Sequence, residues 1–216
     1  IVRFNRIKGE LPNLDKLALL ESFACSENLL SGSLPSFSAN KKLLSLRAGG
    51  NNFSGFLPPF ADHSSIRSLD VSANDLSGPI PDNLFQAADP TASIFLDLSS
   101  NNFLGAVPDS LSRFSDLTLY LRDNRIGNLP PDLCKKQDWN QGDVGLAGCD
   151  GILCPPSTYS PLTGRESRRG SKCERCDNAP YFGSTTCTAH SGASAQTRVF
   201  GYGMTACLAS VVWLLL

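Results

Sequence analysis

Leu69-Asp-Val71-Ser-Ala-Asn74-Asp-Leu76-Ser-Gly78-Pro-Ile80-Pro81 carries the spacing that decides the fold. The same frame follows it as Leu96-Asp-Leu98-Ser-Ser-Asn101-Asn-Phe103-Leu-Gly105-Ala-Val107-Pro108. Two copies precede it, one on Phe23, Cys25, Asn28, Leu30, Gly32, Leu34 and Pro35, the next on Leu46, Ala48, Asn51, Phe53, Gly55, Leu57 and Pro58. A first copy is cut on its left (Val2, Asn5, Ile7, Gly9, Leu11, Pro12). A sixth keeps Leu119, Leu121, Asn124 and Ile126 and closes one residue early at Gly127-Asn-Leu129-Pro130. The asparagines Asn5, Asn28, Asn51, Asn74, Asn101 and Asn124 are separated by 23, 23, 23, 27 and 23 residues.

Apolar residues two apart share one face of a strand, so Leu69 and Val71 enter a core while Asp70 points out. One unit of this length cannot bury that face alone. Stacked units in parallel register give a continuous core and a backbone ladder. The recurring asparagine sits where the chain turns inward, and its amide is suited to pair with buried N–H and C=O groups that cost ~1–3 kcal/mol each when left alone. The extra residues around Gln86-Ala-Ala-Asp-Pro90 are expected to bulge on the convex or lateral side.

The frame LxLxxNxLxGxIP over residues 1–133 resembles the plant-type extracellular leucine-rich repeat. The resemblance implies an α/β-type repeat solenoid, a right-handed coil with a parallel sheet of short strands on its concave face. It also implies that this face meets the ligand. Carried over by position, the outward residues Arg47, Asp70, Asp97, Tyr120, Arg122 and Asp123 become ligand-binding candidates. Tyr and Arg are the residue types that dominate binding hot spots. The plainer reading is a solvated strand face, with Arg47, Asp70 and Asp97 as charge pairs between neighbouring strands.

Of the 216 residues, 41% are hydrophobic and 18% charged, and 19 basic against 20 acidic residues leave a net charge of −1. That balance removes the electrostatic case for nucleic acid. Six of the eight cysteines, Cys134, Cys149, Cys154, Cys173, Cys176 and Cys187, crowd into a segment poor in aliphatic residues. Such a segment is held by disulfides in an oxidising compartment. The competing zinc reading rests on the single Cys173-Glu-Arg-Cys176 pair. Six cysteines allow about 15 pairings, which the sequence does not choose among. Cys25 and Cys207 lie in apolar settings and read as free thiols.

Residues 134–153, with Trp139, read as the cap that a solenoid end requires. Residues 154–190, beginning Cys154-Pro-Pro-Ser-Thr-Tyr-Ser160, resemble the cysteine-rich modules of ephrin-receptor-like and growth-factor-receptor-like ectodomains, with Ser157 in place of a glycine. The basic run from Arg165 to Lys172 reads as a solvated loop. Asn52-Phe53-Ser54 is a glycosylation sequon. Residues 191–203 form a small-residue stalk and 204–216 an apolar tail. Together they match the signal for a glycosylphosphatidylinositol anchor at Ser191, with a marginal membrane helix as the other reading.

No residue pattern supports catalysis, a cofactor or a metal. His63 and His190 lie beside no nucleophile motif, the first in a turn and the second in the stalk. The expectation is a surface-anchored recognition protein, receptor-like or adhesive, that binds a protein, peptide or glycan outside the cell. The membrane partner would be engaged through the tail. The alternative is a secreted enzyme inhibitor or wall-associated structural protein of the polygalacturonase-inhibitor type. The open first repeat is expected to leave an apolar edge at residues 1–12.

Overall fold

The computed structural model describes residues 5–187. The repeat region alternates strands in chain order: β1 (Lys8–Glu10), β2 (Ser22–Ala24), β3 (Leu29–Ser33), β4 (Ser45–Arg47), β5 (Asn52–Phe56) and β6 (Ser68–Asp70). The series continues with β7 (Asp75–Gly78), β8 (Ile94–Asp97), β9 (Asn102–Ala106), β10 (Leu117–Tyr120) and β11 (Arg125–Asn128). They sort into two parallel sheets, β2-β4-β6-β8-β10 and β1-β3-β5-β7-β9-β11. The first is the sheet expected from the Leu-x-Leu pairs. The second was not anticipated, and it forms on the Asn-x-Leu-x-Gly segment of each unit.

In the first sheet Leu46 pairs with Leu69, Leu69 with Leu96 and Leu96 with Leu119, and all four are fully buried. Each buried leucine contributes roughly 1.5–3 kcal/mol of transfer free energy. In the second sheet the matching column is Leu30, Phe53, Leu76, Phe103 and Ile126, all at most 5% exposed. The glycine two residues further on permits the bend. Gly78 has φ +80°, and the ring of Phe56 lies where a β-carbon would project.

The asparagine ladder runs between the two sheets. Asn74 Nδ2 donates to the carbonyls of Val71 and Ser72 in its own turn and of Ala48 in the turn before, each at 3.0 Å. Its Oδ1 accepts the Phe53 N–H at 2.9 Å. Asn51, Asn101 and Asn124 repeat this pattern, and Asn28 is buried with them. Asn5 departs from the expected inward set: it is exposed, in a turn with no described coil stacked before it.

The return side is filled by Phe37, Phe60 and Phe85, whose ring centroids step by 5.7 and 6.2 Å. The insertion stays on this side. Phe85 N–H donates to Pro59 and Ala87 N–H to Ala61, so the extra residues lengthen the return segment without breaking the stack.

All six clustered cysteines are paired in chain order, Cys134–Cys149, Cys154–Cys173 and Cys176–Cys187, which leaves no thiolate for the zinc reading. Cys25 is buried and takes no part in these three disulfides, and Cys207 lies outside the described residues. Residues 134–153 cover the last coil with short 3-10 turns and the helix α1 (Asp143–Ala147). Trp139 is fully buried there, and its Nε1–H donates to the Phe114 carbonyl at 3.0 Å.

The Cys154–Cys187 segment, with its small hairpin of β12 (Thr158–Tyr159) and β13 (Glu174–Arg175), also lies against the solenoid end. In successive turns Glu27 N–H donates to Gly49, Gly50 to Ser72, Ala73 to Ser99 and Ser100 to Arg122. Asp123 N–H then donates to Gly183 at 3.1 Å. Gly183 thereby supplies the carbonyl that a further repeat would offer. A module expected to follow a separate cap shares in the capping, because the last coil still carried unpaired backbone donors.

Candidate functional site

The outward positions of the first sheet form two columns. The expected one is Ala24, Arg47, Asp70, Asp97 and Tyr120. The other, two strand positions earlier and so pointing the same way, is Ser22, Ser45, Ser68, Phe95 and Thr118. Arg47 is exposed, while Asp70, Asp97, Tyr120, Arg122 and Asp123 are half-buried.

Asp70 and Asp97 occupy paired positions on adjacent strands. Each Oδ1 accepts the N–H and the hydroxyl of the serine two residues on: Ser72 at 3.0 and 2.7 Å, Ser99 at 2.9 and 2.5 Å. Among the described residues neither carboxylate is in an ion pair with Arg47, so the interstrand charge pairs expected from the sequence do not form. Burial, with Asp70 beside it, pushes the Asp97 carboxyl up to about 6.

The native state therefore holds the Asp97 proton more tightly than the unfolded chain, whose value is near 3.8. The stabilisation from that proton is complete below pH ~4 and is lost as pH rises through ~6. Asp97→Asn is expected to be more stable than the parent above pH 6, by on the order of 2 kcal/mol, with the gap closing below pH 4. Urea midpoints of both proteins between pH 4 and 8 check this, and a gap of equal size at both ends contradicts it.

At the far end of the face Tyr120 packs edge-on against Phe95, with centroids 5.8 Å apart. The Arg165 guanidinium, from the cysteine-rich segment, lies 5.4 Å from the Tyr120 centroid. Arg165 was expected in a solvated loop. Instead its Nη1 donates to Asp143 Oδ2 at 2.6 Å, and the two side chains keep only 12% and 10% exposure. Asp123 Oδ1 accepts the N–H and hydroxyl of Thr185 at 3.2 and 2.7 Å, and Gly164 and Gly183 lie close against Arg122. Of the six expected binding residues, Arg122 and Asp123 thus hold the module and Tyr120 sits at its border, while Arg47, Asp70 and Asp97 lie on the strands before it.

Phe95 and Arg165 were missed. The alternation that places Leu96 inside places Phe95 outside, so Phe95 was within reach of the same rule. Nothing in the spacing links Arg165 to Tyr120.

Asn52 begins β5 with its side chain exposed, as a sequon asparagine must be. His63 is buried on the return side with Nε2 3.0 Å from the Phe37 carbonyl, a structural position within a turn. Asp150, Glu166 and Cys173 converge, but the Cys173 sulfur is bonded to Cys154 and the Lys172 ammonium lies 2.9 Å from Glu166 Oε2, so this cluster does not fit a metal. Ser191, His190 and the tail 204–216 lie outside the described residues. Among the described residues no helix is long and apolar enough to cross a membrane.

A family model described as Leucine Rich Repeat matches residues 65–87 and 94–114, two of the coils described above. The coil is built of leucine-rich repeats. Its repeats are similar to the ectodomain of the plant membrane receptor kinase GASSHO1/SCHENGEN3 from Arabidopsis thaliana, solved in complex with CASPARIAN STRIP INTEGRITY FACTOR 2. That match has 26% identity and a TM-score of 0.56 over 62% of this chain and 16% of that one. The PEPR1–AtPEP1 structure matches at 33% identity and a TM-score of 0.56, over 62% and 19% of the two chains. The Arabidopsis receptor kinase HAESA, solved with the peptide hormone IDA and the co-receptor SERK1, matches at 27% identity and 0.53, over 70% and 24%. This chain thus spans less than a quarter of each of these three. No curated protein sequence matches it.

Proposed function

We propose that this protein is a recognition module displayed on the cell surface, and that its concave sheet between Arg47 and Tyr120 receives a protein, peptide or glycan. The observation that carries the reading is the open stretch of outward residues, Arg47, Asp70, Asp97, Phe95 and Tyr120, ending at the docked cysteine-rich segment. An aromatic pair beside two carboxylates suits a ligand with an apolar group next to a cationic one. A cation seated there favours the charged form of Asp97, which couples binding to release of a proton. The similarity to peptide-binding ectodomains favours a peptide. Three disulfides support an oxidising, extracellular setting. On sequence grounds Asn52 carries a glycan, and a lipid joined at Ser191 holds the chain to the membrane after the apolar tail is removed. Nothing in the residue pattern argues for catalysis.

Peptides selected from a displayed library on the full chain, expressed on cells, test the reading. Selected binders should be rich in Lys or Arg and lose at least tenfold affinity on Asp70→Lys, Asp97→Lys or Tyr120→Ala. Binders indifferent to all three substitutions would sink the concave-face assignment. In the same cells, a phosphatidylinositol-specific phospholipase should release the protein. Retention after treatment argues against the lipid anchor, and release without enzyme favours the inhibitor-type alternative.

A further inference from the structure

The concave sheet has a docked segment at one end, but the second sheet presents a face that no described part of the chain covers. Strand β5 carries three exposed residues on it, Asn52, Ser54 and Phe56, while Phe53 between them is fully buried. Phe56 is 72% exposed, which is unusual for an aromatic residue in the middle of a sheet. The Cδ1–Cε1 edge of its ring lies where a β-carbon on Gly78 would project, and most of the side chain is open to solvent. Asn52 pairs with Ser31 on β3, Phe56 with Ser77 on β7, and Ser77 with Asn102 on β9. The middle of this face is therefore rich in hydroxyl and amide groups around one aromatic ring, with a single carboxylate, Asp75, exposed beside Ser54.

Building on the reading of Asn52 as a glycan acceptor, we propose that the first sugars of that glycan lie along β5 over Phe56 and shield this face of the second sheet. The chemistry of the two surfaces matches. An aromatic face carries partial negative charge and attracts the slightly positive C–H groups on the apolar side of a sugar ring. Ser31, Ser54, Ser77 and Asn102 offer partners for its hydroxyls. The separation also fits, because four residues of strand, bent at Gly55, place Phe56 at most roughly 13 Å from Asn52 at ~3.3 Å per residue, a distance that a short run of sugar rings covers. The glycan then shields the lateral sheet and leaves the concave sheet free for a ligand.

The full chain, secreted from plant cells behind an added leader and compared before and after peptide-N-glycosidase treatment, tests this. Intact mass and peptide mapping should find a glycan on Asn52. Its removal should raise amide exchange across Ser54–Phe56 and Ser77–Gly78 at least threefold. In the glycosylated Phe56→Ala variant these amides should already exchange at the raised rate, and the glycosidase should cleave the native protein at least threefold faster than the parent. An unmodified Asn52 overturns both the glycoprotein reading and the shield. A modified Asn52 with unchanged exchange and cleavage rates overturns the shield alone. Protection that depends on protein concentration rather than on the glycan assigns the face to a second copy of the chain and equally overturns it.

Discussion

Asp143→Ala should lower the unfolding free energy by about 3–5 kcal/mol, the larger of the two main effects expected in this chain. Asp143 and Arg165 retain 10% and 12% exposure, and their bond is 2.6 Å. Removing the carboxylate leaves a guanidinium with little water around it and takes away the acceptor of the Arg168 N–H at 2.9 Å. Two carbonyls, of Gly151 and Glu166 at 3.3 and 3.4 Å, remain near Arg165 but do not neutralise it. Replacing both members together, as Asp143→Leu with Arg165→Met, should recover most of the loss, because the uncompensated charge disappears. Denaturant midpoints of the two single variants and the double variant make the comparison. A small loss in Asp143→Ala would mean that water reaches Arg165. The single variant should also loosen Tyr120, since Arg165 is the cation held over its ring.

Asn74→Ala should cost on the order of 4 kcal/mol, although it replaces one small uncharged side chain. Three carbonyls, of Ala48, Val71 and Ser72, lose their donor, and the Phe53 N–H loses its acceptor. Each group stranded in the core costs roughly 1–3 kcal/mol, with partial relief where the turn can relax. Asn5→Ala, at the same place in the repeat but exposed, should change stability by less than about 0.5 kcal/mol. Thermal or urea unfolding of the two variants side by side separates position in the frame from burial as the cause. Equal effects would mean that the ladder amides contribute through local turn formation and not through pairing between coils.

Much of this architecture was legible because the repeat states each constraint several times. Leu69 and Val71 share a face by strand geometry alone, and Asn28 to Asn124 recur where a buried turn needs an amide. The second sheet was less visible: β3, β5, β7 and β9 carry only one buried side chain before the glycine, and their pairing follows from the stacking that the first sheet imposes. Asn5 shows the limit of a positional rule, because the identical residue in the first described turn is exposed. The concave candidates were found by counting, yet Arg122 and Asp123 hold the cysteine-rich segment through Gly164, Gly183 and Thr185. That contact joins residues some 60 positions apart, Asp123 and Thr185 being separated by 62, and no periodicity encodes it. The same holds for Arg165, whose partners Asp143 and Tyr120 lie in two other segments.

The Cys176–Cys187 bridge has a mechanical consequence. Tension arriving from residue 188 onward, as in a chain tethered at that end, enters at Cys187 and passes through the sulfur atoms to Cys176. The intervening stretch, which holds the bonds from Gly183 and Thr185 to Asp123, is bypassed by the load. A pull from that end therefore meets a covalent loop before it can peel the end of the coil, and the concave sheet keeps its shape under a strain that would otherwise unzip it one turn at a time.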